Sequence, residues 1–368
     1  MGIFFFIFLK NRKRQLPKSI KKFLVIRSGS IGDVLLITPL LQALSASYPN
    51  AHITALIPPQ AKDVLVDNPH ISSIITSDIL WRRGTSNFFK LMLLGFQLQK
   101  EQFDLGFDTR GDIRNMFILY FSKTAYRVSF GNISGGDFLL HTVVSYKKKH
   151  EIDANLDLLR TLGIEVKNRK MVFMFDESDI SFINEFLLKK EIKMNKPIIG
   201  FNPSSSWKYK DWPLEKFTQL GDILISEYGA QIIILGKGEK DIQTAKHIYH
   251  RMNNKPILAV NDLNLKQTVA LIDQLEVLVC NSSALAHLAA LTSTTTIVLF
   301  GSDDPMLWLH EEQIGLKKNA DCSPCRQRKC KRAGQNDQCM NLISVEEVIH
   351  VIEEVMREKK YVNNKPIR

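Results

Sequence analysis

Short runs of apolar residues alternate along the chain with longer segments whose apolar residues recur every three or four positions. The short runs predict buried strands, and the longer segments predict helices with one apolar face. The predicted strands are 23–27, 52–57, 71–75, 103–107, 126–130, 197–201, 231–235, 257–260, 276–280 and 295–300. The predicted helices are 34–47, 59–67, 86–100, 112–122, 177–193, 213–228, 239–252, 265–273, 284–291 and 345–358. This alternation is typical of βαβ units and predicts an α/β fold with parallel sheets.

The alternation is interrupted once, which predicts two consecutive α/β domains in the 368 residues. The predicted parts are an apolar and basic extension at 1–20, a first domain at 21–175, a linker helix at 176–196, a second domain at 197–343 and a C-terminal helix at 344–358. From the sequence, this last helix could close the second domain or pack on the first.

The first predicted strand leads into a small-residue turn and then a helix. Leu24–Ile26 is followed by Arg27, by the turn Ser28–Gly32 and by Asp33. Such a turn before a helix is where α/β proteins place anionic ligands. A carboxylate at this position would repel a phosphate, so the turn is predicted to take part in chemistry rather than to bind phosphate.

Three further strand ends carry polar residues. Ser205 and Ser206 form a loop whose amides suit a phosphate, and Lys210 is close enough in sequence to reach the same anion; a serine loop is also often only a loop. Glu239 follows a Gly-x-Gly turn and could accept ribose hydroxyls or charge the first helical turn. His287 lies one turn into a helix, where a histidine is either structural or aimed at a ligand in the crevice.

Four cysteines, Cys322, Cys325, Cys330 and Cys339, lie within a basic loop at 322–339. Four thiolates could hold a structural zinc ion. The alternatives are free thiols or an occasional disulfide. A catalytic metal is not expected, because an all-thiolate site leaves no coordination position open.

The net charge of +11 is concentrated near the start of the chain, where residues 1–32 hold eight Lys or Arg and no acid. Ahead of these lies an apolar run, Ile3–Leu9, which is too short to span a membrane. This order suits the surface of an anionic membrane; a frayed extension is the alternative. No nucleic-acid recognition motif accompanies the charge, and the few cysteines indicate the cytoplasm.

Five motifs in order over about residues 22–355 resemble the glycosyltransferases related to ADP-heptose:lipopolysaccharide heptosyltransferases, glycosyltransferase family 9. They are Arg27–Val34, Asn202–Pro213, the Gly-x-Gly-Glu turn, Ser282–Ala290, and Leu299–Pro305, which is similar to Phe-Gly-x-Thr-Asp-Pro. A Cys-x-Pro-Cys…Cys-Met tail also matches. The turn Ser282-Ser283-Ala284 departs from the Asp-(Ser/Thr)-Gly of many members.

The resemblance implies a GT-B fold, with two Rossmann-like domains facing a central cleft, acceptor on the first and nucleotide-sugar on the second. It implies Asp33 as catalytic base and Arg27, Ser30 and Gly32 as acceptor-binding residues. The donor-binding residues that it implies are Ser205, Ser206, Lys210, Glu239, Ser282, Ser283 and His287. No cofactor and no catalytic metal are expected.

The predicted function is inverting, metal-independent transfer of heptose from ADP-heptose to an anionic, lipid-linked saccharide of the lipopolysaccharide inner core. The predicted location is the cytoplasmic face of the inner membrane, as a peripheral protein. Three alternatives stay open: another nucleotide-sugar donor, a non-catalytic member that binds nucleotide-sugar or glycolipid, and a nicotinamide-dependent enzyme. The last lacks Gly-x-Gly-x-x-Gly after the first strand.

Overall fold

The computed structural model describes residues 15–80, 88–325, 327, 329–332 and 338–363. The predicted apolar segment 3–9 and the basic residues from 10 to 14 lie outside the described residues. The chain divides into two compact units, residues 1–174 and 175–368, and each is considered by itself below.

The first unit holds a six-stranded sheet in which every pairing is parallel. Its strands are β1 (Lys22–Ile26), β2 (His52–Ile57), β3 (Ser73–Thr76), β4 (Leu105–Asp108), β5 (Tyr126–Gly131) and β6 (Thr142–Ser145). They lie in the order β3-β2-β1-β4-β5-β6, which is the Rossmann order. Its helices are α1 (Ile31–Leu35), α2 (Thr38–Ser47), α3 (Phe88–Leu98), α4 (Ile113–Phe121) and α5 (Glu151–Arg160).

The second unit repeats this architecture. Its strands are β7 (Ile198–Asn202), β8 (Gln231–Gly236), β9 (Ile257–Val260), β10 (Val277–Asn281), β11 (Thr295–Phe300) and β12 (Ile314–Lys317). The order β12-β11-β10-β7-β8-β9 is again parallel throughout. Its helices are α6 (Glu177–Lys189), α7 (Leu214–Tyr228), α8 (Glu239–Arg251), α9 (Leu265–Ile272), α10 (Ala284–Ala289), α11 (Pro305–Trp308) and α12 (Val345–Asn363).

Both sheets have buried central strands, because helices cover both faces of a Rossmann sheet. In β1 the residues Phe23–Ile26 are fully buried, and in β10 all five residues are buried. Two clusters of buried apolar side chains line the second sheet, one of which includes Ile199, Val279 and Ile297 and the other Ile198, Leu278 and Val298. The two clusters hold alternate residues of the same strands, as expected for opposite faces of one sheet.

Several elements differ from the sequence-based predictions. The predicted helix 34–47 begins earlier, at Ile31, and is divided into α1 and α2, and residues 59–64 form a 3-10 helix instead of an α-helix. The edge strands β6 and β12 and the helix α5 were not predicted. The strands β6 and β12 have four residues each and are only partly buried, so they lack the long apolar run that identifies a central strand.

The segment 176–196, predicted as a linker helix, forms α6 and is packed into the second unit. Its Ile183, Phe186 and Leu187 join the apolar cluster beneath α9. The C-terminal helix α12 lies on the same unit, where Val348 and Ile352 are fully buried beside α7. Both helices therefore complete the second unit.

Candidate functional site

Asp33 is the third residue of α1 and accepts hydrogen bonds from four donors. Arg27 Nη2 donates to Oδ1 at 2.9 Å, and Arg110 Nη1 donates to the same oxygen at 2.8 Å. The backbone N–H and the hydroxyl of Ser30, the N-cap of α1, donate to Oδ2 at 2.7 and 2.9 Å. The carboxylate is thus fixed where β1 passes into α1, with its side chain 16% exposed.

These contacts decide the protonation state of Asp33. Burial by itself raises the pKa of this carboxyl, but the charges of Arg27 and Arg110 and the hydrogen bonds from Ser30 outweigh burial and hold the pKa far below its usual range. Asp33 is therefore an anion at every physiological pH and a weak base until one of its partners leaves.

Arg27 and Arg110 differ in exposure, and this separates their roles. The Arg27 side chain is 1% exposed, and its Nη1 also donates to Thr109 O at 2.6 Å. The Arg110 side chain is 30% exposed. Arg27, for which acceptor contact was expected, is thus placed to hold Asp33, whereas Arg110 is accessible to a ligand. Gly32, also expected to bind acceptor, is buried within α1.

Arg110 was missed by the sequence analysis, although it belongs to a polar run that directly follows a buried strand. Asp108, the last residue of β4, is fully buried and accepts from Asn115 Nδ2 and Ser129 Oγ, both at 2.7 Å, and from the Asp112 amide at 2.8 Å. Burial raises the pKa of Asp108 to about 6 against these hydrogen bonds. The turn that carries Arg110 is held in place by this carboxyl.

Gly29 makes room for the Asp33 carboxylate. Its φ of +137° is one that side-chain-bearing residues rarely adopt, and a Cβ there would lie 2.4 Å from Asp33 Oδ2. The glycine of the first turn is thus required by the backbone conformation and by the close approach of the carboxylate.

In the second unit, Ser205 and Ser206 differ in availability. The Ser205 amide donates to Asp211 Oδ1 at 2.7 Å and its hydroxyl to Trp207 O at 3.0 Å, so both of its donors already have protein partners. Ser206 is exposed, and no described residue bonds to its hydroxyl. Lys240, which the sequence analysis missed, donates to Ser205 O and to Asp211 Oδ2, both at 2.6 Å, and fixes the loop.

Lys210 lies in the same loop and forms a close ion pair with Asp303. Its ammonium also lies 4.4 Å from the centre of the Trp207 ring, a cation–π contact. Ser282, which directly follows β10, donates its hydroxyl to the same Asp303 oxygen, Oδ2, at 2.8 Å. The structure thus brings Lys210 and Ser282 together through an acid that the sequence analysis did not single out.

Glu239 is exposed at the first position of α8, after Gly238, whose φ is +102°. Its Oε1 accepts from Gln243 Nε2 at 2.6 Å. The carboxylate lies at the end of β8, the strand next to the serine loop, and remains accessible to a ligand hydroxyl.

His287 is 8% exposed and is hydrogen-bonded to a second histidine. Its Nδ1 lies 2.9 Å from His310 Nε2, and its ring centre lies 6.0 Å from that of Trp308. Ser283, at the N-cap of α10, donates to Asn202 Oδ1 at 2.9 Å. His310 could not be anticipated, because it is 23 residues away in sequence and belongs to no recognised motif.

All four cysteines of the loop, Cys322, Cys325, Cys330 and Cys339, line one small cavity with Ser302 and Tyr209. The thiols are not bonded to one another. Over the described part of the chain, no three Cys, His, Asp or Glu side chains are arranged so that they could hold a metal ion. A structural zinc ion therefore stays a prediction that would require the thiols to move together.

A family model described as glycosyltransferase family 9 (heptosyltransferase) matches residues 92–335. The chain belongs to glycosyltransferase family 9. It is therefore a glycosyltransferase. Among curated relatives, this family 9 chain is 23% identical to lipopolysaccharide heptosyltransferase 2 of Salmonella typhimurium over 77% of its own length and 84% of the relative's. It is 22% identical to lipooligosaccharide heptosyltransferase 2 of Campylobacter jejuni, over 89% and 96%.

Solved structures give the same fold. A family 9 glycosyltransferase from Veillonella parvula superimposes with a TM-score of 0.80 at 21% identity, covering 94% of this chain and 100% of that one. ADP-heptose lps heptosyltransferase II of E. coli gives a TM-score of 0.73 at 20% identity, covering 92% and 99%. The predicted fold class, α/β of the GT-B type with two Rossmann-like parallel sheets, is confirmed.

Proposed function

We propose that this family 9 glycosyltransferase transfers heptose from ADP-heptose to an anionic, lipid-linked saccharide of the lipopolysaccharide inner core. The proposal depends above all on one observation, the similarity to lipopolysaccharide heptosyltransferases over more than three quarters of the chain. The fixed anionic Asp33 in α1 and the cationic Lys210 in the loop after β7 supply the groups that such a transfer requires.

Asp33 is the proposed general base. A sugar hydroxyl is too weak an acid to ionise at neutral pH, so its proton must pass to a base while the new bond to the donor's anomeric carbon forms. Because Oδ1 accepts from both Arg27 and Arg110, the base gains strength when Arg110 turns to an anionic group of the acceptor. Direct attack of this kind inverts the anomeric centre.

Lys210 is the proposed counter-charge for the departing ADP. Breaking the bond between the anomeric carbon and the phosphate oxygen leaves the electron pair, and a growing negative charge, on the diphosphate. A fixed ammonium and the free hydroxyl of Ser206 stabilise this charge without a metal ion. Glu239, which begins α8 after the neighbouring strand β8, is proposed to accept a hydrogen bond from a ribose hydroxyl.

A lipid-linked acceptor requires approach to a membrane, and α3 offers an apolar face for it. Phe89, Leu93 and Phe96 follow helical spacing and are 70%, 57% and 48% exposed, and Lys90 is exposed beside them. An exposed apolar face of this kind suits contact with the interface of a bilayer. No described helix is long and apolar enough to cross one, and we propose peripheral attachment to the cytoplasmic face of the inner membrane.

Vesicle binding tests this attachment. The F89S/L93S/F96S variant is expected to lose most of its co-sedimentation with phosphatidylglycerol vesicles. Leu188 provides the matched control, since it is 75% exposed on α6 of the other unit, and L188S should bind as the wild type does. Equal binding by all three proteins would contradict a role for α3.

A second candidate is a member that binds a nucleotide-sugar without transferring it. Two observations favour it: the Lys210 charge is paired with Asp303, and Ser282 stands where many family members have an acid. A different donor sugar is the other alternative. Both are distinguished from the main proposal by the experiment below.

A thermal-shift screen of ADP-heptose against UDP- and GDP-sugars, followed by a transfer assay on a heptose-deficient core acceptor, tests the function. We expect selective stabilisation by ADP-heptose and turnover that Asp33→Asn abolishes while donor binding persists. Donor binding without turnover on any core acceptor would favour the non-catalytic candidate, and undiminished turnover by Asp33→Asn would exclude the proposed base.

A further inference from the structure

The carboxylate of Asp303 lies where the loops after three neighbouring strands converge. Asp303 follows β11, Ser282 follows β10 and Lys210 follows β7, and these strands are adjacent in the order β11-β10-β7. Both Lys210 and Ser282 contact one and the same atom, Asp303 Oδ2. Because parallel strands end at the same edge of the sheet, this convergence lies at the edge where α/β proteins bind ligands.

In the described part of the chain, only one oxygen of this carboxylate, Oδ2, has hydrogen-bond partners. Among the described residues, no donor is within hydrogen-bond distance of Asp303 Oδ1, although the residue is only 7% exposed. An ionised carboxylate can only accept hydrogen bonds. Its free oxygen thus suits a ligand hydroxyl and repels a phosphate oxygen.

The strand order indicates which hydroxyl this would be. Glu239 at β8, the serine loop with Lys210 at β7, Ser282 at β10 and Asp303 at β11 follow one another across the sheet. If the ribose lies at Glu239 and the diphosphate at Lys210, as the proposed function has it, the next group of the donor, its sugar, reaches β10 and β11. The ribose is at the opposite end of this row from Asp303.

The sequence is consistent with an exchange of two residues. In the motifs that the chain resembles, an acid stands at the position of Ser282 and a threonine at that of Asp303. In this chain the hydroxyl and the acid have changed places, and the two side chains are in contact at 2.8 Å. A reciprocal exchange between touching positions keeps one acid and one hydroxyl in the same small volume.

We propose that Asp303 is the acid that recognises the donor's sugar in this chain, in the place of an acid at position 282, and that it neutralises Lys210 while no donor is bound. This inference rests on the proposed function, because it assumes a nucleotide-sugar donor at these strand ends. It gives Asp303 the role of a specificity-determining residue.

The exchange can be reversed in a cycle of variants: Asp303→Thr, Ser282→Asp and the double variant S282D/D303T. The measurement is calorimetric affinity for ADP and for ADP-heptose, or for the nucleotide-sugar that the screen selects. For D303T we expect the sugar's contribution, the ratio of the two affinities, to fall about tenfold, as for loss of a hydrogen bond to a charged group. ADP itself should bind more tightly, because Lys210 is released.

The other variants complete the test. S282D alone places two carboxylates in contact and should lower the affinity for both ligands. The double variant should regain the ratio of affinities to within about threefold of the wild type, because touching residues are typically coupled in this way. Asp303→Asn keeps the size of the side chain and should tighten ADP binding as D303T does. If D303T does not fold, D303N still tests whether the charge at residue 303 weakens ADP binding.

Two results would overturn the inference. The first is an unchanged ratio of the two affinities in D303T. The second is an equal loss of affinity for ADP and for the nucleotide-sugar in folded D303T and D303N, which is the behaviour of a purely structural residue. These results differ from failure of the proposed function. If the wild type binds no nucleotide-sugar, the proposed function and this inference are both wrong. If it binds one and the ratio of affinities does not respond to residue 303, only this inference is wrong.

Discussion

Arg110 Nη1 lies 2.8 Å from Oδ1 of Asp33, the oxygen that also accepts from buried Arg27. One carboxylate oxygen thus has one partner that cannot leave and one that can. The buried guanidinium fixes the position of the carboxylate, and we propose that the accessible guanidinium adjusts its strength as a base. This arrangement reconciles a strongly depressed pKa with the proposed role in proton transfer.

Replacement of Arg110 is expected to act on the acceptor. In R110A we expect the KM for the anionic acceptor to rise about tenfold or more, the scale of one charge-assisted contact, while the KM for the donor stays unchanged. R110K should restore part of the loss. Steady-state kinetics with each substrate varied in turn gives the answer.

The matched control for Arg110 is Arg160, which is 44% exposed and paired with Asp157. R160A should leave both KM values at the wild-type level. A rise in the donor KM of R110A with no change for the acceptor would contradict the assignment.

Asp33 is expected to make the free energy of unfolding depend on pH. Its folded pKa lies below the unfolded value of 3.8, so its contribution is complete above about pH 5 and is lost as the pH falls below 4. Asp33→Asn should therefore cost about 3 kcal/mol at pH 7, the scale for a broken buried ion pair, and progressively less towards pH 3. Urea unfolding of both proteins from pH 3 to 7 measures the difference; a gap independent of pH would contradict it.

The central strands and the turns that follow them could be predicted from the sequence, because buried parallel strands are continuous apolar runs. Asp33 and Lys210 lie in or just beyond the turns and loops that follow such runs. Arg110, Lys240, Asp303 and His310 were not predicted as site residues. Their roles depend on which strands are neighbours in the sheet, and a sequence does not show that β11 lies beside β10 until the strand order is known.

Burial is the second property that the sequence did not supply. Arg27 stands among the turn residues and was expected to reach the acceptor, but the packing around β1 and α5 encloses it, with Asn155 Oδ1 3.4 Å from its Nη1. Ser205 is similar, since its donors are taken up by Asp211 and Trp207 within its own loop. The place of a residue in a motif thus indicates which part of the site it belongs to, but not whether its side chain is free to contact a ligand.

Gly29→Ala is expected to disrupt the first turn. The new Cβ would lie 2.4 Å from Asp33 Oδ2 in addition to straining a backbone with φ of +137°. We expect a loss of stability of about 3 kcal/mol and loss of transfer, because the carboxylate must move. Gly163→Ala is the control, since its φ is +73° and no atom lies within 4 Å of the new Cβ; about 1 kcal/mol is expected there. Equal losses would show that the contact with Asp33 does not matter.

The cysteine loop gives the last prediction. Cys339 is 8% exposed beside Gly301, which directly follows β11, and burial together with the neighbouring thiols raises its pKa. A zinc ion bound by four thiolates would instead lower the pKa of Cys339 and draw the loop together behind Tyr209 and Ser302, the chain neighbours of Lys210 and Asp303. Protein purified under reducing conditions should then contain about one zinc per chain and, with cobalt in its place, show thiolate-to-metal absorption.

Cys339→Ser should lose the metal and weaken ADP binding, while Cys280→Ser, at a cysteine buried in β10 outside the loop, should retain it. Metal-free wild-type protein with full donor affinity would leave these thiols a purely structural loop.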